Sequence, residues 1–220
     1  MALILPQMEQ EVLYKANEQA CRTDRDPRHN PPHIGFATVV RAYVCPDDSR
    51  LLAPLTDQYN VTASYTSYVG IGGAFPPGSD ISLPGVLGGV PGIRLSDITD
   101  GTSNTLMLGE RCPPGSLQAG WWYSQLWGYS QGFRGPNNMI NVGQRAALYA
   151  EDTQCFAIKG AFGPGRTENP CDRFHLWSLH SAGANFVFAD GSGRYLPYSA
   201  ASILPALASR AGGEAVSIPE

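Results

Sequence analysis

Alternating apolar residues near the C-terminus predict a β-hairpin. Phe186 and Phe188 alternate with smaller apolar residues, so both faces of a short strand are apolar. An Asp-Gly pair at 190–191 supplies the positive φ angle of a tight turn. Residues 194–198 form the returning strand, and their proline cannot donate a hydrogen bond to the ladder. The pattern therefore predicts a buried hairpin over residues 180–198.

The rest of the chain predicts one helix followed by strands and long loops. Apolar residues recur at helical spacing over residues 4–20, and residues 59–71 and 104–110 are rich in strand-forming residues. Glycine and proline over residues 70–92 predict an exposed loop, and a short helix is expected at 204–210. This order is typical of an α+β fold with an antiparallel sheet, as a single domain over residues 1–220.

Composition and charge exclude several classes of partner. Only 15% of the residues are charged, while 25 glycines and 18 prolines predict many turns and few long helices. The net charge is −4 without a basic cluster, so the chain lacks the electrostatic features of a nucleic-acid-binding protein. An anionic membrane surface would not attract it either.

Five short motifs occur in a characteristic order along the chain. They are ALILPQMEQ at 2–10, VCPDD at 44–48, LSDITDGTSNTLMLGE at 95–110, HSAGANFVFADG at 180–191 and GGEAV at 212–216. Together they resemble a large planctomycete-type family of unknown function, the domain of unknown function 1559, defined by a histidine, nine residues and Asp-Gly. Its members are built like type IV pilins or pseudopilins. At Asp47 the chain departs from the family, in which serine is usual.

The resemblance implies a pilin-like fold, in which an N-terminal helix packs on an antiparallel sheet with long Gly/Pro-rich loops. It also implies export through a prepilin-type, type II secretion-like pathway to the periplasm or cell surface. The expected partners are other pilin-like subunits or cell-envelope components. Contact with a membrane is expected only through an N-terminal prepilin helix. The sequence shows no such apolar run, so we expect a fragment or a late start, which are favoured, or a paralogue without the anchor.

Spacing alone does not establish a catalytic site in this sequence. Residues 128–132, GYSQG, have the Gly-x-Ser-x-Gly spacing, but a catalytic triad is defined by geometry and not by spacing. His175 and His180 lack the cysteine and histidine spacing typical of zinc sites. We therefore expect a non-enzymatic structural or adhesive subunit of a pseudopilus-like or cell-envelope assembly. The resemblance marks seven residues as structural: Asp100, Gly101, Asn104, Glu110, His180, Asp190 and Gly191. For His180 we expect contact with Asp190 or its turn, which would lock the hairpin.

Oxygen-bearing side chains in loops offer a second interpretation, a calcium site. Asp97, Asp100, Asn104 and Asp190 provide the hard ligands that calcium prefers. Turns alone also explain these residues, because aspartate before glycine is a common turn pair. The turn interpretation is favoured, and calcium is kept as the one candidate cofactor.

Tryptophans at 121, 122 and 127 suggest an alternative function, a surface-exposed module that binds glycans or small solutes. The faces of Trp121, Trp122 and Trp127 suit the apolar surfaces of sugars. Such a cluster is more often core or subunit interface, and exposure cannot be read from sequence.

Five cysteines fit neither a zinc pattern nor an even disulfide set. Cys155 and Cys171 bracket a Gly- and Pro-rich loop, and a bridge between them would contribute about 3 kcal/mol in the loop-entropy picture. The implied export favours this disulfide, whereas in the cytosol all five would be free thiols.

Overall fold

A mainly antiparallel sheet forms the centre of the structure, a computed structural model. The strands are β1 (Leu55–Thr56), β2 (Thr62–Ala63), β3 (Tyr68–Ala74), β4 (Leu83–Pro84), β5 (Leu106–Glu110), β6 (Met139–Val142), β7 (Gly183–Phe188) and β8 (Gly193–Pro197). The central sheet has the order β4-β3-β5-β7-β8, with β6 parallel to β3, and β1 pairs with β2 separately. The α+β class is therefore confirmed.

The structure describes most of the chain, with gaps in its middle third. The described residues are 1–24, 26–75, 83–87, 92–117, 119–123, 139–142, 155, 162–214 and 216–218. Their α-helices are α1 (Glu11–Thr23) and α2 (Leu204–Ala208), and short 3₁₀ turns connect many elements. Across these ranges, no helix has both the length and the apolar character needed to cross a membrane.

The first α-helix is shorter than the sequence predicts. Residues 2–4 and 6–8 form separate 3₁₀ turns, and Glu9 adopts a left-handed φ of 59°. A left-handed residue interrupts a right-handed helix, so α1 begins only at Glu11. The predicted helix over residues 4–20 is therefore correct only in its second part.

Helix α2, near the C-terminus, covers the sheet. The resemblance implied that the N-terminal helix would do so. Leu204 and Leu207 of α2 pack with Ile71, Leu106 and Phe186 of the sheet in one apolar core. Helix α1 instead borders a second core of aromatic and aliphatic side chains outside this sheet. Burial of such side chains is the dominant favourable contribution to folding, about 1.5–3 kcal/mol for each large one.

Strand β3 occupies part of the segment that the sequence predicts as an exposed loop. Residues 70–74 belong to this strand and are buried. The glycines allow close approach of neighbouring backbone, because a Cβ atom on Gly73 would overlap the carbonyl oxygen of Leu83. Glycine is therefore a packing requirement here, and the loop interpretation is wrong for residues 70–74.

The C-terminal hairpin follows the predicted pattern. Strands β7 and β8 pair antiparallel from Gly183 opposite Pro197 to Val187 opposite Gly193. Phe186 and Phe188 are buried, and Gly191 has a φ of 85° in the turn. The turn also donates to the central motif, because Ala189 N bonds Thr105 O at 2.8 Å.

We expect Gly191→Ala to lower the free energy of unfolding by about 1–2 kcal/mol, because an L-residue is strained at positive φ. Gly193→Ala is the matched control: both glycines have open space where a Cβ would lie, but only Gly191 has a positive φ. Urea denaturation of the two variants measures the difference. Equal effects of the two substitutions would contradict the turn assignment.

Candidate functional site

Three of the sequence motifs meet at one buried cluster. Cys45 comes from the Cys-Pro element, Glu110 ends the central motif, and His180 begins the C-terminal motif. One side-chain atom from each lies within 4.8 Å of the other two. Within the described ranges, this is the one group of three or more histidine, cysteine or acidic ligand atoms close enough to hold a metal ion.

The central sheet positions two of these side chains. Glu110 is the last residue of β5, which lies between β3 and β7. His180 precedes β7 and is held by a hydrogen bond from its backbone N to Ser178 Oγ at 3.0 Å. Because β5 and β7 run antiparallel, the end of β5 lies next to the start of β7.

Ser67 connects the Cys-Pro element to the same end of the sheet. Its hydroxyl accepts from Cys45 N at 2.9 Å, and its carbonyl accepts from Arg111 N at 2.7 Å. Ser67 N in turn donates to Tyr43 O at 2.9 Å. The residue is fully buried, and its side chain and backbone together join its own segment to those of Cys45 and Arg111. Sequence reasoning missed Ser67, because a serine in a Thr- and Ser-rich strand carries no local signal.

Asn185 orients the Glu110 carboxylate. Its backbone N and its Nδ2 both donate to Glu110 Oε2, at 2.7 and 3.2 Å. The other oxygen, Oε1, is buried and has no hydrogen-bond partner among the described residues. It lies 3.4 Å from His180 Nε2.

His180 contacts all the remaining members of the cluster. Its Nε2 lies 3.6 Å from Cys45 Sγ, and its Nδ1 lies 2.7 Å from Asp47 Oδ2. Asp47 thus places a carboxylate next to the ring nitrogen of His180 that faces away from Cys45. Burial raises the pKa of the Cys45 thiol to about 11. Without a metal ion, the thiol is therefore protonated at neutral pH.

A shallow cleft of about 410 Å³ borders the cluster. Asp47, Leu179, His180, Ser181, Asn185 and Tyr195 line it. The side chain of His180 is 27% exposed, whereas that of Glu110 is 1% exposed. Of the three clustered side chains, only His180 faces this cleft.

Asp100 forms a second contact between motifs. Its carboxylate accepts from the backbone N atoms of Gly212 and Gly213, at 2.7 and 3.0 Å, and from Ser209 Oγ at 3.3 Å. The central motif is thereby joined to the Gly-Gly-Glu motif more than a hundred residues later. Gly101 has a φ of 94°, so only glycine is unstrained there, and Asn104 Nδ2 donates to Asp100 O.

The four residues considered for calcium are used in turns instead. Asp97 accepts from Arg94 N, and Asp190 accepts from Ser192 N, both at 2.8 Å. Asp100 is engaged as described above, and Asn104 turns its amide group to a backbone carbonyl. Their acidic members do not belong to the one ligand cluster found among the described residues. The structure thus favours the turn interpretation.

His180 does not make the contact with Asp190 that the sequence suggested. The two residues lie at opposite ends of β7, because an extended strand of six residues separates them. Asp190 instead donates its backbone N to Thr102 O at 3.1 Å. The expectation of a hairpin lock between His180 and the Asp-Gly turn is wrong.

The tryptophans considered for sugar binding are core residues where the structure describes them. Trp121 and Trp122 are 3% and 0% exposed, and Trp122 Nε1 donates to Thr38 O at 2.7 Å. Their faces pack on Phe36, Tyr43 and Tyr123, so they offer no surface to a sugar. Trp127 lies outside the described residues.

Two cysteines form a disulfide, Cys155 with Cys171, which is the pair that the sequence suggested. Cys21, Cys45 and Cys112 are free thiols. Burial raises the pKa of Cys112 to about 12, so this thiol is also protonated at neutral pH.

The fold and the cluster define a class of protein: an α+β sheet domain whose separate sequence motifs converge on a buried cysteine, a buried glutamate and a half-buried histidine. The chain belongs to the family described as protein of unknown function (DUF1559), whose model matches residues 1–202. No curated protein and no solved structure matches the chain.

We expect Asp100→Ala to lower the free energy of unfolding by about 1–3 kcal/mol, because it leaves the amides of Gly212 and Gly213 without their acceptor. Asp97→Ala is the control. Its carboxylate accepts a hydrogen bond within its own turn, so its loss should lower the free energy of unfolding by less. Chemical denaturation monitored by tryptophan fluorescence measures both. If the two variants were equally stable, Asp100 would not be joining the two motifs.

Proposed function

We propose that this protein is an exported, non-enzymatic structural subunit of a pilin-like cell-envelope assembly. The observation that carries the proposal is the use of the family motifs. The central motif bonds the Gly-Gly-Glu motif through Asp100, and the hairpin turn bonds the central motif through Thr102 and Thr105. Residues that serve mainly to join distant segments are those expected of a structural domain.

The disulfide also supports export. A bridge between Cys155 and Cys171 persists in the periplasm or outside the cell, whereas cytosolic thiols are kept reduced. The pilin-like arrangement is part of the same proposal: an N-terminal helix would anchor the subunit, and the sheet would face its neighbours in the assembly.

Cell fractionation of the bacterium that makes the protein tests this function. The full-length gene product, with a C-terminal tag, should appear in the envelope or sheared-surface fraction and sediment in assemblies larger than a monomer. Recovery as a monomer in the cytosolic fraction would refute the proposal.

Thiol counting on the same material gives a second readout. Alkylation after denaturation should modify three thiols before reduction, those of Cys21, Cys45 and Cys112. After reduction it should modify five. A double variant, Cys155→Ser with Cys171→Ser, is the control and should show three thiols under both conditions. Five reactive thiols in the unreduced wild type would contradict passage through an oxidising compartment.

A further inference from the structure

One buried oxygen of Glu110 forms no hydrogen bond among the described residues and lies beside an imidazole and a thiol. Asn185 satisfies Oε2, while Oε1 is buried without a hydrogen-bond partner among the described residues. Buried polar atoms are nearly always paired, and an exception indicates a strained group, a functional role, or a bound water or ion. The nearby atoms are His180 Nε2 and Cys45 Sγ, which are both metal ligands when deprotonated.

The two separations from His180 Nε2 match edges of a zinc coordination tetrahedron, and the third pair of ligand atoms lies within 4.8 Å. Zinc binds sulfur at about 2.3 Å and nitrogen or oxygen at about 2.0–2.2 Å. Two tetrahedral ligands at those distances are therefore about 3.3–3.6 Å apart. The observed separations are 3.6 Å from His180 Nε2 to Cys45 Sγ and 3.4 Å from His180 Nε2 to Glu110 Oε1.

Surrounding polar groups orient two of the three ligands, His180 and Glu110, and Asn185 Nδ2 also lies 3.4 Å from His180 Nε2. Asp47 Oδ2 lies 2.7 Å from His180 Nδ1, and a proton held between them leaves the lone pair on Nε2. A carboxylate behind a metal-bound imidazole is the usual outer contact in zinc sites. Asn185 likewise holds Oε2 of Glu110, which leaves Oε1 toward the other two ligands.

We propose that Cys45, Glu110 and His180 form a zinc site, with Asp47 and Asn185 as the groups that orient its ligands. The mixed sulfur, nitrogen and oxygen donor set suits a borderline ion such as zinc and does not suit calcium, which takes six to eight oxygen ligands. On binding, the Cys45 thiol loses its proton to solvent, and a bond forms between Sγ and the ion.

Three protein ligands leave one position of a tetrahedral ion without a protein group. Structural zinc sites almost always have four protein ligands, whereas sites that exchange a water or a solute have three. The cleft of about 410 Å³ beside His180 connects the cluster with solvent. The site is therefore built to hold zinc together with water or a small anionic ligand.

Cobalt(II) titration of the tag-free, full-length protein, freed of metal by chelation, tests the site. Cobalt replaces zinc and gives a thiolate-to-cobalt charge-transfer band in the near ultraviolet. We expect a band that saturates at one equivalent and is abolished by one equivalent of zinc. Absence of a saturable band in the wild type would overturn the proposal.

Two variants assign the ligands. Cys45→Ser should lose the band, while Cys21→Ser, which removes a free thiol outside the cluster, should keep it. Glu110→Gln has the same shape and retains an acceptor for Asn185, so it should fold and bind zinc at least tenfold more weakly. Loss of the band in both cysteine variants, or its persistence in Cys45→Ser, would place the metal elsewhere and refute the assignment.

Asp47→Asn tests the orienting group separately. Loss of such an outer contact typically weakens metal binding 10–100-fold. We expect that loss in a zinc competition titration, with the cobalt band still centred on the thiolate ligand. Unchanged zinc affinity would show that Asp47 does not act on the site through His180. Each of these outcomes is independent of whether the protein assembles in the envelope.

Discussion

The cluster of Cys45, Glu110 and His180 depends on one constraint, the burial of the Glu110 carboxylate. Glu110 ends the central strand β5 with its side chain 1% exposed. Transfer of an ionised carboxylate from water to the protein interior costs several kcal/mol unless hydrogen bonds and an opposite charge compensate it. Asn185 and His180 contact this carboxylate. These side-chain contacts hold the start of β7 against the end of β5, in addition to the backbone hydrogen bonds between the two strands.

Ser67 extends the same constraint to the N-terminal part of the chain. Its side chain and backbone hold Tyr43 and Cys45 of one segment and Arg111 of another, far apart in sequence. A buried hydroxyl is costly without partners, and here it accepts a bond that the Cys-Pro turn needs. The site therefore exists only when β3, β5 and β7 are paired and the Cys-Pro element has docked on them.

The sequence predicted what depends on neighbours along the chain. The hairpin of β7 and β8 follows from strict alternation and an Asp-Gly turn, and β5 follows from its strand-forming residues. The prediction failed where tertiary packing decides, as in the glycine-rich strand β3, whose glycines admit the backbone of β4. Trp121 and Trp122 are likewise buried in the core, and no local pattern in the sequence predicts their burial.

The candidate site was visible in the sequence only as separate motifs. Cys45 and His180 are 135 residues apart, so no spacing rule connects them. The cluster differs from the contact that Asp100 makes between motifs in how fully the carboxylate is hydrogen-bonded. Both oxygens of Asp100 have donors, so that contact is complete as a structural joint. Glu110 Oε1 is buried without a hydrogen bond among the described residues, 3.4 Å from the imidazole of His180 and close to the thiol of Cys45. An ion that accepts electron pairs from all three atoms would complete this contact.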